Sequence, residues 1–178
     1  MLRTMLSLVL ASWAASVALA QGPAQVVEAK WVMAADAAHP KSTVKAAVVA
    51  KVSAGYHIND HKPTLDYLIP TELKLDALKQ VEVKDVTYPK GVLKKFAFSD
   101  APLSVYEGTV VVGSALQVGR AMAPGTYALK GKFSYQACND HACLPPASVP
   151  LTLTLKVVPR NVPLKPENSD VFERAQVE

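Results

Sequence analysis

The feature that most constrains this chain is a two-residue hydrophobic period repeated along most of its length. Val44, Ala46, Val48, Ala50 and Val52 alternate with Lys45, Ala47, Val49, Lys51 and Ser53. Tyr127, Leu129, Gly131, Phe133 and Tyr135 alternate with Ala128, Lys130, Lys132 and Ser134, and Val149, Leu151, Leu153, Leu155 and Val157 with Pro150, Thr152, Thr154 and Lys156. Successive side chains of a strand point to opposite faces, so each run reads as a strand with one buried face. Shorter strands are expected over 26–33, 68–75, 81–88 and 105–112. Turn signals separate them: Ala54-Gly55, Lys62-Pro63, Pro89-Lys-Gly91, Asp100-Ala-Pro102 and Ala123-Pro-Gly125. Short strands at fairly regular spacing predict an all-β chain, a single-domain immunoglobulin-like β-sandwich. One or two helical turns over 71–80 are the only competing pattern before the C-terminal tail.

The chain ends suggest processing and a tail. Arg3, an apolar run from Met5 to Leu19 and Ala18-Leu-Ala20 have the pattern of a cleavable secretory signal over 1–20. The run is short for a membrane span, which needs about 20 apolar residues, and no later segment approaches that length. The expectation is an exported domain over 21–158, outside the cytoplasm, with no membrane span after cleavage. Pro159, Pro163 and Pro166 favour an extended tail over 159–178, with a short helix after Asn168-Ser169. Formal charge is +4, but the lysines are scattered along the strands as on a solvated sheet face. Nucleic-acid binding would cluster them with aromatics and is not expected.

Two cysteines, Cys138 and Cys143, stand in a C-x4-C spacing within Phe133-Ser-Tyr-Gln-Ala-Cys-Asn-Asp-His-Ala-Cys-Leu-Pro-Pro146. A bridge between them closes so short a loop that chain entropy supplies only about 2 kcal/mol, against nearly 5 for a hundred-residue loop. Stability is thus a poor reason for it, and a bridge that is made and broken is the better reading. A passive hairpin bridge in a non-catalytic adaptor or envelope binding module remains the alternative. Zinc is not expected: His141 lies between the cysteines, but a closed site needs four ligands, and His39, His57 and His61 are distant. His57 and His61 read as polar surface residues. No cofactor is expected.

Tyr135-Gln136-x-Cys138 followed by Cys143-x-Pro145-Pro146 resembles the N-terminal periplasmic domain of the thiol:disulfide interchange protein DsbD. Gly55-Tyr-His-Ile-Asn59, Leu68-Ile-Pro-Thr-Glu72 and Val105-Tyr-Glu-Gly108 extend the similarity over about 31–157. The resemblance implies an oxidoreductase component that passes electrons between a reduced partner and oxidised periplasmic proteins. Cys143 then forms the mixed disulfide and Cys138 resolves it. Partners would be thioredoxin-like or other periplasmic redox proteins. In the family the domain is followed by a membrane conduit and a thioredoxin-like domain; with the chain ending at Glu178, a membrane electron-transfer protein acting in trans is the corresponding expectation.

A family loop with an aromatic residue covers the disulfide, and the matching stretch here is 94–100. Phe96 and Phe98 are its two candidates, with ordinary core aromatics as the other reading. Tyr135 is divided between core and site, and His141 is a supporting candidate. With Pro145-Pro146 and a strand following Cys143, no helix N-terminus is available to acidify the thiols. They are expected to titrate near the ordinary value of about 8.5, the partner supplying the attacking thiolate.

Overall fold

The computed structural model describes residues 25–174. Eleven strands and one short helix follow in the order β1 (Val27–Met33), β2 (Thr43–Val52), β3 (His57–Asn59), β4 (Glu72–Leu75), β5 (Val81–Thr87), β6 (Val92–Lys94), β7 (Leu103–Tyr106), β8 (Thr109–Val118), β9 (Gly125–Tyr135), β10 (Ala137–Cys138), β11 (Ala147–Val157) and α1 (Ser169–Arg174). The expected signal segment over 1–20 lies outside the described residues.

Two antiparallel sheets form the sandwich. One has the order β1-β2-β8-β5 and the other β11-β9-β4. Their inner faces meet in one core that includes Val27, Trp31, Val48, Val112, Leu116, Leu129, Phe133 and Leu155. β11 shows the cleanest alternation, with Val149, Leu151, Leu153, Leu155 and Val157 buried and the residues between them exposed. This is the immunoglobulin-like all-β architecture that the period of two predicts. A third sheet, β10-β3-β7-β6, is built from much shorter strands and carries Cys138.

Two local expectations are corrected, at 105–112 and on the outer face of β2. Residues 105–112 form two strands rather than one: β7 ends at Tyr106, Gly108 takes φ +61°, and β8 starts at Thr109 in a different sheet. Only a residue without a Cβ adopts that backbone readily, so the glycine marks the change of sheet. Over 71–80 the strand reading prevails over the competing helical turns. β4 pairs with β9 there, and the chain then turns with Val81 N–H donating to the Leu78 carbonyl at 3.0 Å. The outer face of β2 is also less open than its alternation implies, since Ala47 and Val49 are buried. Val171 and Phe172 of α1 pack on Ala47 and Val111. The segment leading to α1 is held by Asp36 N–H to the Lys165 carbonyl, Glu167 N–H to the Ala34 carbonyl, and the Asn168 amide to the Met33 carbonyl.

Gly131 in β9 faces β4 at close quarters. A Cβ there would stand 2.7 Å from both the Lys74 carbonyl oxygen and a Leu75 methyl. Because backbone is among those neighbours, Gly131→Ala is expected to push β4 off β9 and cost about 1–3 kcal/mol, as overpacked cores do. Urea unfolding checks this. The buried ring of Phe133, two residues on, is expected to cost about 3–5 kcal/mol when cut to Ala.

Candidate functional site

The longest ladder in the molecule leads to the cysteines. β9 and β11 pair from Gly125↔Val157 to Tyr135↔Ala147, and the intervening hairpin carries β10 and both sulfurs. Cys138 and Cys143 face each other across this hairpin as an isolated antiparallel bridge, with Cα atoms 3.9 Å apart and a disulfide between them. The tip is well satisfied. Asn139 N–H donates to the Ala142 carbonyl at 3.0 Å, and Asn139 Oδ1 accepts the N–H groups of His141 and Ala142, both at 2.9 Å. Below the bridge Leu144 N–H donates to the Ala137 carbonyl at 2.8 Å. An Asn side chain that takes two turn N–H groups explains why this residue follows Cys138.

The two cysteines are not equivalent. Cys138 is 1% exposed, whereas Cys143 lies among the exposed residues of the turn. Beside Cys143, Leu144 and Pro145 join Val26, Tyr135 and Ala137 around an apolar recess of about 170 Å³. Tyr135 thus belongs to both places: it is buried in the main core, tilted against Phe133, and its edge lines the recess. Burial raises its phenol above the ordinary range, opposed by a backbone hydrogen bond at Val27. His141 is exposed at the hairpin tip.

Cys138 is buried at the edge of the third sheet, in β10. β10 pairs with β3 in the register Ala137↔Ile58 and Cys138↔His57. Ile58 and Ala137 face the main core, so His57 and Cys138 share the opposite face. That face has a small core of its own, made of Leu68, Phe96, Leu103 and Val105 with Leu65 against it. Phe96 is buried, and its ring stacks on His57 at 4.2 Å. Phe98 stacks on Phe96 at 5.3 Å and is 44% exposed. The loop that carries both phenylalanines is closed on itself by Lys95 Nζ, which donates to the carbonyls of Ser99 and Asp100. Lys94 pairs with Glu107 at 2.6 Å at its base.

His57 corrects the sequence expectation of a surface residue: it is 2% exposed. Its only sequence signal was its place in the Gly55–Asn59 stretch. Asn59, on the same face, is fully buried, and its amide donates to the Ile69 carbonyl at 2.9 Å. Two atoms of this layer, His57 Nε2 and Asn59 Oδ1, have no hydrogen-bond partner among the described residues. His61 is half-buried, stacked on Tyr88 at 3.7 Å, with Nδ1 donating to the Thr71 carbonyl at 2.9 Å. Among the described residues no group of three or more His, Cys, Asp or Glu side chains is arranged to hold a metal.

A polar network pins the loop after β3. Asp60 accepts hydrogen bonds from the Tyr106 hydroxyl and from the Ser104 hydroxyl at 2.6 Å. Gly91 leaves the room for this, since a Cβ there would run into both Asp60 and Ser104. Burial pushes the Tyr106 phenol far above its ordinary value, and the hydrogen bond to Asp60 adds to that.

With this geometry in view, the family described as thiol:disulfide interchange protein DsbD, N-terminal, matches residues 23–154. Among solved structures, the N-terminal periplasmic domain of ScsB from Proteus mirabilis is similar at 12% identity and a TM-score of 0.48, over 85% of this chain and 52% of that one. The chain therefore spans about half the length of that relative. A structure of the complex between the DsbD N-terminal and PilB N-terminal domains from Neisseria meningitidis is similar at 18% identity and a TM-score of 0.39, over 68% of this chain and 80% of that one. No curated protein matches the chain.

Two groups of this region predict a response to acid. Burial holds His57 below the ordinary histidine range, with Glu107 and Asp140 opposing and Lys94 assisting. The unfolded chain therefore takes up that proton first, and stability is lost as pH falls below about 6.5. For Asp60, burial raises the carboxyl, but hydrogen bonds from Ser104, Tyr106, Lys62 and His61 outweigh it and leave the group below its usual range. A second loss is thus expected as pH falls below about 4. Urea midpoints measured against pH are expected to decline in two stages. His57→Gln removes the first; Asp60→Asn removes the second and costs about 1.5–3 kcal/mol at neutral pH, the range of hydrogen bonds to charged groups.

Proposed function

The chain belongs to the DsbD N-terminal family, and we propose that its Cys138–Cys143 bridge exchanges with cysteines of other proteins in the periplasm. The observation that carries this reading is the unequal placement of the two sulfurs, one residue buried and the other exposed. Exchange needs an attackable sulfur and a leaving sulfur that stays with its own protein. Cys143 meets the first need. Cys138, buried in β10 and paired with His57 of β3, meets the second.

The partner is a redox protein of the thioredoxin-like or a related class that presents a reactive cysteine. The rigid Leu144-Pro145-Pro146 segment beside Cys143 offers an apolar platform for it with little conformational entropy to lose. Electrons enter or leave through that mixed disulfide, and a membrane protein acting in trans is one source of them. The signal pattern over 1–20 and the accessible disulfide both favour an oxidising compartment.

Phe96 fits the covering role better than Phe98. It is buried against His57, directly across the strand from Cys138, whereas Phe98 stacks on its outer side. Phe96→Ala is expected to speed reduction by dithiothreitol, on the order of tenfold. Phe98→Ala should change it much less. Equal rates in wild type and Phe96→Ala would remove the covering role.

The attack assignment is tested by trapping in periplasmic extract. Cys138→Ser leaves Cys143 free and is expected to accumulate covalent adducts on non-reducing gels, while Cys143→Ser yields few. The reverse pattern would exchange the two roles. Absence of adducts from both variants would return the chain to the inert adaptor.

A further inference from the structure

Opening the bridge turns Cys138 into a buried thiol, and closing it again requires that thiol to lose a proton where water is scarce. Cys138 is 1% exposed, so solvent is poorly placed to take the proton. A thiol near the ordinary value of about 8.5 is mostly protonated at neutral pH and is a weak nucleophile in that form. Something in the small core has to relieve it.

The register supplies one candidate. His57 is the direct cross-strand partner of Cys138 on the same face of the β10–β3 pair. Side chains so placed have Cβ atoms about 4.5–5.5 Å apart, within reach of an imidazole and a sulfur. His57 is 2% exposed, and its Nε2 has no hydrogen-bond partner among the described residues. A buried nitrogen of this kind is costly to leave unpaired. A disulfide sulfur has no hydrogen to offer it, whereas a thiol does. The stacked ring of Phe96 holds the imidazole in place.

We infer that His57 accepts the proton of Cys138 when the domain resolves its mixed disulfide, a role that rests on the exchange reading above. In that step the Cys138 thiol gives its proton to the imidazole, and its sulfur attacks Cys143 Sγ. The Cys138–Cys143 bond forms as the bond between Cys143 and the partner breaks. The partner's sulfur leaves with the electron pair and takes up a proton. Two electrons leave the domain, and the oxidant is the partner's disulfide. In reverse, the imidazolium returns a proton to Cys138 as the bridge opens. The charged groups that act on the ring are Glu107 and Asp140, which favour its protonated form, and Lys94, which opposes it. Burial dominates and keeps the ring neutral at neutral pH, the form a base requires.

The test reacts the reduced domain with 5,5′-dithiobis(2-nitrobenzoate) under stopped flow. The first thionitrobenzoate reports attack by the exposed thiol and the second reports resolution by Cys138. At pH 7, His57→Gln is expected to slow the second phase about 100-fold, within the usual range for a positioned base. The first phase should be unchanged. The variant's second phase should then rise about tenfold per pH unit toward the thiol's own ionisation, where wild type is nearly flat. Equal second phases and equal pH profiles would overturn the inference and leave the exchange reading standing. No second phase in wild type would overturn both.

A measurement on wild type alone covers a variant that fails to fold. The His57 Cε1–H shift, followed by NMR against pH, is expected to gain a second step on reduction as the thiol ionises. The same single-step curve in oxidised and reduced protein would overturn the role.

Discussion

The eleven-pair ladder between β9 and β11 is the constraint on which the site depends. Its register is held because one face of each strand lies in the core: Leu129 and Phe133 on β9, and Val149 to Val157 at every second residue on β11. A slip by one residue would turn these side chains outward, a loss of about 1.5–3 kcal/mol for each large one. The hairpin at the end of this ladder therefore emerges in one position only. It brings Cys138 opposite His57 and leaves Cys143 on the turn.

The third sheet divides two environments. Its inner face, with Ile58, Ala137 and Tyr106, completes the main core. Its outer face supports a much smaller core of Leu68, Phe96, Leu103 and Val105. A cluster of this size buries little apolar area, and the loops over it are the elements most easily opened. The same layer contains two unpaired polar atoms. Apolar burial that is modest, together with polar groups that are unsatisfied, lowers the cost of lifting the loop around Phe96 compared with opening the main sandwich.

The Asp60 network anchors the other side of this layer. Its carboxylate joins the loop after β3 to Ser104 and Tyr106 of β7 and, through the space left by Gly91, to the approach to β6. Hydrogen bonds to a charged group are among the stronger ones available to a small domain. They hold β3 and β7 in register, and with them His57, while the loop that carries Phe96 relies on stacking and on the carbonyl contacts of Lys95. The anchored side and the lighter side meet at His57, which β3 carries and the Phe96 ring stacks on.

The long strands were legible because a half-buried strand of ten or eleven residues repeats its period enough times to be seen. The cysteine pair was legible by count, since two cysteines admit one internal bridge. Strands β3, β6 and β10 were not, because two or three residues carry no period. The outer face of β2 was misread because α1, more than a hundred residues away, covers Ala47. His57 was misread for the same reason, since no local pattern announces the Phe96 ring that lies on it. By itself the sequence determined the class of fold, through alternation, and the chemistry of the site, through its two thiols. Tertiary structure alone decided which sulfur is buried and which histidine stands beside it. Burial is a property of what comes to lie on a residue, and distant segments of the chain set that.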